Sequence, residues 1–209
     1  MSKLEEVVPG IRRWSQFDEE RQIDFNGHWI ACEGESVLID PVGLDEAGLA
    51  ELKQRISENS GTPLQAILLT NQHHERDSAH LKKIFSVPVW VHENDASGLE
   101  APPDRTFKDG DRLNCGLEVI RLADQKTPGE SAFFLPTQKI LIVGDALIGR
   151  VAGKVNLLPP DKYPNIDKAR SGLVRLKELD FDTLLVGDGH SILQGAKAVV
   201  TGFLQDSRT

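Results

Sequence analysis

The sequence is dominated by short, wholly apolar runs of strand-forming residues, several of which end in polar loops. Runs such as 66–70 and 140–143 do not alternate apolar and polar residues, which predicts strands that are covered on both faces. Helices are predicted at 76–85, 166–179 and 192–204, between and after the strands. This order favours an α/β fold with sheet inside and helices outside.

The N-terminal part of the chain is predicted to form strands followed by one helix. A strand region at 23–32 contains the dipeptide Asn26-Gly27, which is typical of a turn. The helix is expected to begin after Asp45, a good N-cap residue, and to end at Gly61. No repeat and no long linker divides the 209 residues, so a single domain over 1–209 is expected.

The overall charge narrows the classes of function. The chain has 24 Lys and Arg residues against 32 Asp and Glu residues, giving a formal net charge of -8. A nucleic-acid-binding surface would be basic, so no nucleic-acid partner is expected. No apolar run approaches the roughly 18–20 residues of a membrane span, so no membrane partner is expected either.

Cysteine usage and the first residues bear on the compartment. Cys32 and Cys115 form no CxxC pair and give no disulfide framework. Residues 1–6 carry acidic side chains where a signal peptide needs an apolar segment. A soluble protein of the reducing cytoplasm, without a disulfide, is therefore expected.

Four polar loops follow predicted strands. They cover residues 70–77, 124–131, 144–145 and 187–190. Because ligand sites in α/β proteins form where loops leave the carboxyl ends of strands, these loops are expected to meet at one crevice. The alternative is that acidic residues such as Asp145 merely cap turns.

The four loops carry motifs in a recognisable order. Residues 69–76 (Leu-Thr-Asn-Gln-His-His-Glu-Arg) resemble a strand running into Thr-His-x-His-x-Asp-His, and residues 126–129 (Lys-Thr-Pro-Gly) resemble His-Thr-Pro-Gly. Residues 142–145 and 186–190 resemble strands ending in Gly-Asp and Gly-His. Together these motifs are similar to those of the metallo-β-lactamase-fold hydrolases. The resemblance implies a four-layer αββα sandwich with two mixed sheets and outer helices.

The resemblance also implies a site for two metal ions, with seven ligand positions. Carried over by position, these are Asn71, His73 and Lys126 for one ion, Glu75, Arg76 and His190 for the other, and Asp145 as the bridge. Arginine has no accessible lone pair, and lysine would have to lose its proton before it could bind zinc. The charges of Glu75 and Asp145 are balanced by those of Arg76 and Lys126 without any metal. The sequence therefore predicts that the dinuclear zinc pair is lost and that both cations point into the cleft, onto Glu75 and Asp145.

The first functional hypothesis is a metal-poor member of the fold that binds a small anion, such as a carboxylate or phosphate, or has altered hydrolase chemistry. Its ligand-binding residues are Asn71, Arg76 and Lys126. The second hypothesis is a hydrolase of an ester, thioester or lactone that uses one divalent ion, either zinc, iron or manganese. A purely structural role is a third alternative.

In the second hypothesis, His73, Asp145 and His190 hold the ion, and Glu75 or Asp77 is the general base. His74 would replace a lost ligand only if the loop shifted by one residue.

The remaining histidines and one long loop complete the candidates. His28 and His92 are expected to be structural, and His80 to be a surface partner on a helix. Residues 149–165 contain three prolines and directly follow the Gly-Asp motif, so they form either a substrate loop or a plain surface connection.

Overall fold

A computed structural model describes residues 3–58 and 61–206 of the chain. The strands are β1 (Glu5–Val8), β2 (Ile11–Asp18), β3 (Ile23–Cys32), β4 (Glu35–Ile39), β5 (Leu64–Leu68), β6 (Val89–His92), β7 (Arg105–Phe107), β8 (Glu118–Arg121), β9 (Ser131–Leu135), β10 (Ile140–Val143) and β11 (Thr183–Val186). The α-helices are α1 (Glu46–Glu58), α2 (Ser78–Phe85), α3 (Ile166–Gly172) and α4 (Ala196–Gln205). Short 3-10 helices include Gln72–His74 and Asn114–Gly116.

The strands form two mixed sheets. In the first sheet the order is β1 to β7, antiparallel as far as β4 and parallel from there to β7. In the second sheet the order is β11-β10-β9-β8, with only the β10–β11 pair parallel. The all-apolar runs of β5 and β10 are buried, as expected for strands covered on both faces.

Three buried clusters define four layers. One cluster, with Ile39, Leu68, Phe133 and Ile142, lies between the two sheets. A second packs α1 and α2 on the outer face of the first sheet, and a third packs α4 and the 3-10 helix that follows α3 on the outer face of the second. The predicted αββα sandwich is therefore confirmed. None of the helices in the described residues has the length and apolar character of a membrane span.

Local predictions from the first part of the chain differ in outcome. The carboxylate of Asp45 accepts a hydrogen bond from the Gly48 amide at 2.8 Å, so the predicted N-cap of α1 is confirmed. The turn predicted at Asn26-Gly27 is wrong, because β3 runs straight through it. Glycine is needed at residue 27 for space, since a Cβ there would lie 2.7 Å from the Trp14 ring.

The helices of the last third are shorter than predicted. α3 ends at Gly172 and continues as a 3-10 helix over Val174–Glu178. α4 begins at Ala196 rather than at Ile192, because Ile192 exchanges backbone hydrogen bonds with Leu184 of β11.

The cysteine prediction is also wrong. Cys32, at the end of β3, and Cys115, just before β8, form a disulfide with their Cα atoms 5.6 Å apart. The bond links β3 of the first sheet to the 3-10 helix that leads into β8 of the second. Sequence spacing gave no sign of it, because the partners are 83 residues apart.

Candidate functional site

The predicted polar loops meet at a cleft of about 600 Å³. Its walls are formed by Glu20, Arg21, Phe25, His73, His74, Arg76, Lys126, Asp145, Arg150, Leu158, Pro159, Lys162 and Asp188. Both sheets contribute, since β5 leads to the histidine loop and β10 and β11 lead to Asp145 and Asp188. Five of the walls' side chains are lysines or arginines and three are carboxylates. The cleft is thus rich in positive charge in a chain whose net charge is -8.

The cleft floor is the cluster of charged side chains Asp40, His74, Arg76, Lys126, Asp145 and Asp188. Two glycines let the loops that carry these residues approach closely enough to form it. A Cβ at Gly144 would lie 2.1 Å from the hydroxyl oxygen of Thr70, and one at Gly187 would lie 2.6 Å from Cε1 of His74. Any side chain at either position would push the loops apart. The glycines that precede Asp145 and Asp188 thus leave room for the Thr70 and His74 side chains.

His74 lies at the centre of the floor between two buried carboxylates. Its Nδ1 is 2.7 Å from Oδ2 of Asp40, and its Nε2 is 3.6 Å from Oδ1 of Asp145. Asp40 also accepts hydrogen bonds from the amide and hydroxyl of Thr70, at 2.8 and 2.6 Å. The φ angle of Asp40 is 46°, a left-handed conformation that is held here by these contacts.

Two ion pairs complete the floor. Arg76 Nη2 lies 2.5 Å from Oδ1 of Asp188, and Lys126 Nζ lies 2.7 Å from Oδ2 of Asp145. Arg76 has a φ angle of 38°, and its guanidinium also stacks 4.7 Å from the centre of the Phe25 ring. Both carboxylates and the Arg76 side chain are largely buried, while Lys126 is a quarter exposed.

The buried carboxylates and His74 shift one another's pKa values. Burial lowers the pKa of His74, as does Arg76, but Asp40 and Asp145 outweigh both and raise that pKa to about 10. Burial alone would raise the pKa values of Asp40 and Asp145, yet the neighbouring His74 lowers both, with Lys126 adding to the effect on Asp145. With Asp188 and Arg76, the floor holds three anions and three cations.

A further acid lies beneath the floor. Glu130 is fully buried, and its Oε1 accepts a hydrogen bond from the Ala146 amide at 3.1 Å. Its other oxygen has no partner among the described residues. Burial and the charge of Asp145 raise the pKa of Glu130 well above its ordinary value, which favours the neutral form of this carboxyl group.

A buried aspartate positions the two loops that carry the cations. Asp95 accepts hydrogen bonds from the Gln72 amide at 3.0 Å, the Thr127 hydroxyl at 2.7 Å and the Gly129 amide at 2.6 Å. It thereby joins the histidine loop to the loop that carries Lys126.

The structure brings together four of the residues predicted from sequence. His73, Arg76, Lys126 and Asp145 all line the cleft. Lys126 contacts Asp145, as predicted. Burial and Lys126 lower the pKa of His73, which lies at the cleft wall.

The other four predicted residues lie elsewhere. Asn71 is turned into its own loop, where its oxygen caps the 3-10 helix by accepting from the His73 amide at 2.8 Å. Glu75 accepts from the Glu100 amide at 2.8 Å and lines a separate pocket of about 310 Å³. Asp77 precedes α2 and does not line the cleft.

His190 is exposed and lies outside the cleft walls, where its amide bonds to Gly149. Asp188 occupies the cleft in its place. The predicted pairing of Arg76 with Glu75 or Asp145 is corrected accordingly, because Arg76 pairs with Asp188.

Sequence reasoning missed Asp40, His74 and Asp188 as members of the floor. The strand ending at Asp40 and the glycines flanking Asp188 were signals, but they do not say which side chain turns inward. His28 is buried, and its pKa is lowered to about 4 by burial; His92 accepts a hydrogen bond from the Asn94 amide, as fits the structural role expected for each.

One cluster in the described residues of the cleft has the composition of a metal site. Ligand atoms of His74, Asp145 and Asp188 all lie within 4.8 Å of one another. The guanidinium of Arg76 already contacts two of these groups, since Nη2 is 3.3 Å from His74 Nε2 and 2.5 Å from Asp188. The second cluster, Cys32, Glu35 and Cys115, contains the disulfide.

Comparison with known proteins gives a consistent family. A family model described as "Metallo-beta-lactamase superfamily" matches residues 3–205. A hydroxyacylglutathione hydrolase from Ruegeria pomeroyi is 30% identical over 141 residues, which cover 66% of this chain and 52% of that protein. The chain thus spans about half the length of this curated relative.

Solved structures share the fold at low sequence identity. A metallo-beta-lactamase from Pontibacter korlensis superimposes with a TM-score of 0.77 at 19% identity, covering 99% of this chain and 100% of the other. A metallo-beta-lactamase family protein from Thermus thermophilus gives a TM-score of 0.67 at 18% identity, covering 95% and 79%. A beta-lactamase domain protein from Burkholderia ambifaria gives 0.70 at 17% identity, covering 96% and 74%.

Proposed function

This chain belongs to the metallo-beta-lactamase superfamily, and we propose that it binds a small anionic molecule in its cleft without a dinuclear zinc centre. The observation that carries the proposal is the pair of salt bridges from Arg76 to Asp188 and from Lys126 to Asp145. These cations use the carboxylates that zinc ions would need.

The chemistry of the side chains does not fit two zinc ions. Zinc requires imidazole nitrogen, thiolate or carboxylate ligands, and the guanidinium of Arg76 offers no lone pair. Two ions would add four positive charges to a floor whose own charges already balance. Expelling Arg76 and Lys126 would also leave long cationic side chains without their carboxylate partners.

The excess of cations over carboxylates along the cleft walls supports an anionic ligand. Charged hydrogen bonds from arginine and lysine are the usual means of holding carboxylates and phosphates. The chain's similarity to a hydroxyacylglutathione hydrolase also supports a small-molecule ligand.

A second function is favoured by one observation. The cluster of His74, Asp145 and Asp188 has the imidazole and carboxylate groups suited to a single divalent ion, if Arg76 moves aside. That arrangement would support hydrolysis of an ester, thioester or lactone. It differs from the set predicted from sequence, because it uses His74 and Asp188 rather than His73 and His190.

Metal content separates these functions. We expect protein purified without added metal or chelator to contain far less than one equivalent of zinc. Arg76→Ala should gain a site for one zinc ion by freeing the cluster of His74, Asp145 and Asp188. Arg175→Ala, which removes an exposed arginine paired with Asp109, is the matched control and should gain none.

Two equivalents of zinc in the wild-type protein would overturn the proposal. One equivalent that is lost in His74→Ala would establish the single-ion function instead. Circular dichroism of each variant checks that a loss of metal is not a loss of fold.

A further inference from the structure

We infer that the anionic group of the ligand binds at the rim of the cleft, on Arg150 with Arg21 and Lys162, and that its apolar part faces Phe25 and Leu158. The inference rests on the proposed function and specifies the ligand as a small molecule with a terminal carboxylate or phosphate. It also gives a role to residues 149–165.

The first step concerns which cations are free to bind a ligand. On the floor, Arg76 and Lys126 are already paired with largely buried carboxylates. A ligand anion there would be repelled by Asp145 and Asp188. The available positive charge is therefore at the rim, where Arg21, Arg150 and Lys162 stand against a single lining carboxylate, that of Glu20.

Arg150 is the principal anchor. Its guanidinium donates to the backbone oxygen of Arg21 at 3.2 Å and has no carboxylate partner in residues 3–58 and 61–206. Arg21 pairs with Asp18 at 3.2 Å, and Lys162 pairs with Asp161 at 3.1 Å. The side chains of Arg21, Lys162 and Asp161 are each more than half exposed and neither acid lines the cleft, so a bound anion can compete for the cations.

The backbone holds Arg150 beside the floor. Gly149 bonds through its amide to Asp188 and through its oxygen to the His190 amide, at 2.9 and 2.8 Å. The two chain segments approach so closely that a Cβ at Gly149 would lie 2.1 Å from the His190 oxygen. Arg150 is thus placed by a fixed contact with the loop that carries Asp188.

The other end of the segment is fixed too. Asn156 exchanges two backbone hydrogen bonds with Ile148, each 2.9 Å long. The hydroxyl of the buried Tyr163 accepts from the Leu158 amide at 3.0 Å, which orients the turn that brings Leu158 and Lys162 to the cleft. Binding therefore needs little ordering of this segment, which favours affinity.

The cleft walls also include apolar surface. Phe25, Leu158 and Pro159 supply it, and the guanidinium of Arg21 lies 5.8 Å from the centre of the Phe25 ring. A ligand with an oxyanion at one end and an aromatic or aliphatic group beside it would match both surfaces.

Calorimetric titration of the whole chain with phenyl phosphate, phenylacetate and inorganic phosphate tests the inference. We expect phenyl phosphate or phenylacetate to bind more tightly than inorganic phosphate, and the comparison of the first two identifies the preferred oxyanion. Arg150→Gln should weaken binding of the preferred probe about tenfold or more. Arg112→Gln, which removes an exposed arginine outside the cleft, should leave the affinity unchanged.

Three results would overturn the inference. The first is equal affinity of the preferred probe for the wild-type protein and for Arg150→Gln. The second is no binding of any probe. The third is a loss of affinity in Lys126→Gln without any loss in Arg150→Gln. The last would locate the anion on the floor and leave the proposed function intact. No binding of any probe would also contradict the anion-binding part of the proposed function, whereas its metal part is tested separately by zinc content.

Discussion

At the scale of single residues, the charge on His74 is the feature with the clearest consequence for stability. Its pKa in the folded protein is raised to about 10, above the ordinary value of 6.5, by Asp40 and Asp145. The stabilisation is fully present below pH 6.5 and is lost as the pH rises through 10. We expect the free energy of unfolding to fall by about 1 kcal/mol or more between pH 7 and 9.5.

Urea unfolding at several pH values measures this effect. His28, His73 and His92 do not interfere, because their lowered pKa values affect stability only as the pH falls through 6.5. His74→Gln should make the profile between pH 7 and 9.5 less steep, leaving any decline that the raised pKa of Glu130 causes, whereas His80→Gln, at an exposed helix position, should not change the slope. If the free energy of unfolding of the wild-type protein does not change over this pH range, then the His74 imidazole is neutral and accepts a hydrogen bond from Arg76.

Motif spacing predicted four cleft residues but could not choose between neighbours. His73 and His74 are adjacent in a 3-10 helix, whose geometry turns His74 into the core and leaves His73 at the cleft wall. The same ambiguity separated Asp188 from His190, since only the turn at Gly189, with a φ angle of 87°, decides which side chain faces the cleft.

At the scale of elements, the cleft depends on the contact between two loops through Asp95. This side chain is fully buried and accepts hydrogen bonds from Gln72, Thr127 and Gly129. Asp95→Ala would leave three donors without their partner, so we expect a loss of about 3 kcal/mol in the free energy of unfolding. Amide exchange should quicken at Gln72 and Gly129.

The amide of Leu184 in β11, far from these loops in sequence, serves as an internal reference and should keep its protection relative to global unfolding. Asp180→Ala, which removes an exposed carboxylate paired with Lys139, is the matched variant and should change stability by less than about 0.5 kcal/mol. Unchanged exchange at Gln72 and Gly129 in Asp95→Ala would show that the loops are held by other contacts.

Strands were easier to predict than the ends of helices. The apolar runs of β5 and β10 were predicted correctly as strands, because continuous β-forming apolar residues suit a sheet that is covered on both faces. The last helix was predicted to begin too early, at Ile192, because an apolar residue there suits a helix as well as a strand. Its pairing with Leu184 is a tertiary contact that local sequence does not indicate. The turn predicted at Asn26-Gly27 is likewise absent, because the strand continues and Gly27 packs against the Trp14 ring.

At the scale of the whole molecule, the four layers followed from the order of strands and helices together with the family resemblance. The disulfide did not, because it depends on the distance between two sheets rather than on any local pattern. Cys32 ends a strand of the first sheet, and Cys115 lies in the 3-10 helix that precedes the second. Glu35 fixes this junction by accepting hydrogen bonds from the Cys115 amide and the Asn114 side chain, at 2.5 and 2.6 Å.

This cross-link should make the stability of the whole sandwich sensitive to reduction. Its partners are 83 residues apart, so the bond restricts a long loop of the unfolded chain and should contribute about 2–4 kcal/mol. Reduction should lower the Tm by about 5–10 °C, and the double variant Cys32→Ala, Cys115→Ala should melt at that lower temperature with or without reductant. Calorimetry under both conditions makes the comparison. If the wild-type Tm is the same with and without reductant, while thiol titration shows that the bond has been broken, then packing between the sheets already supplies the restraint.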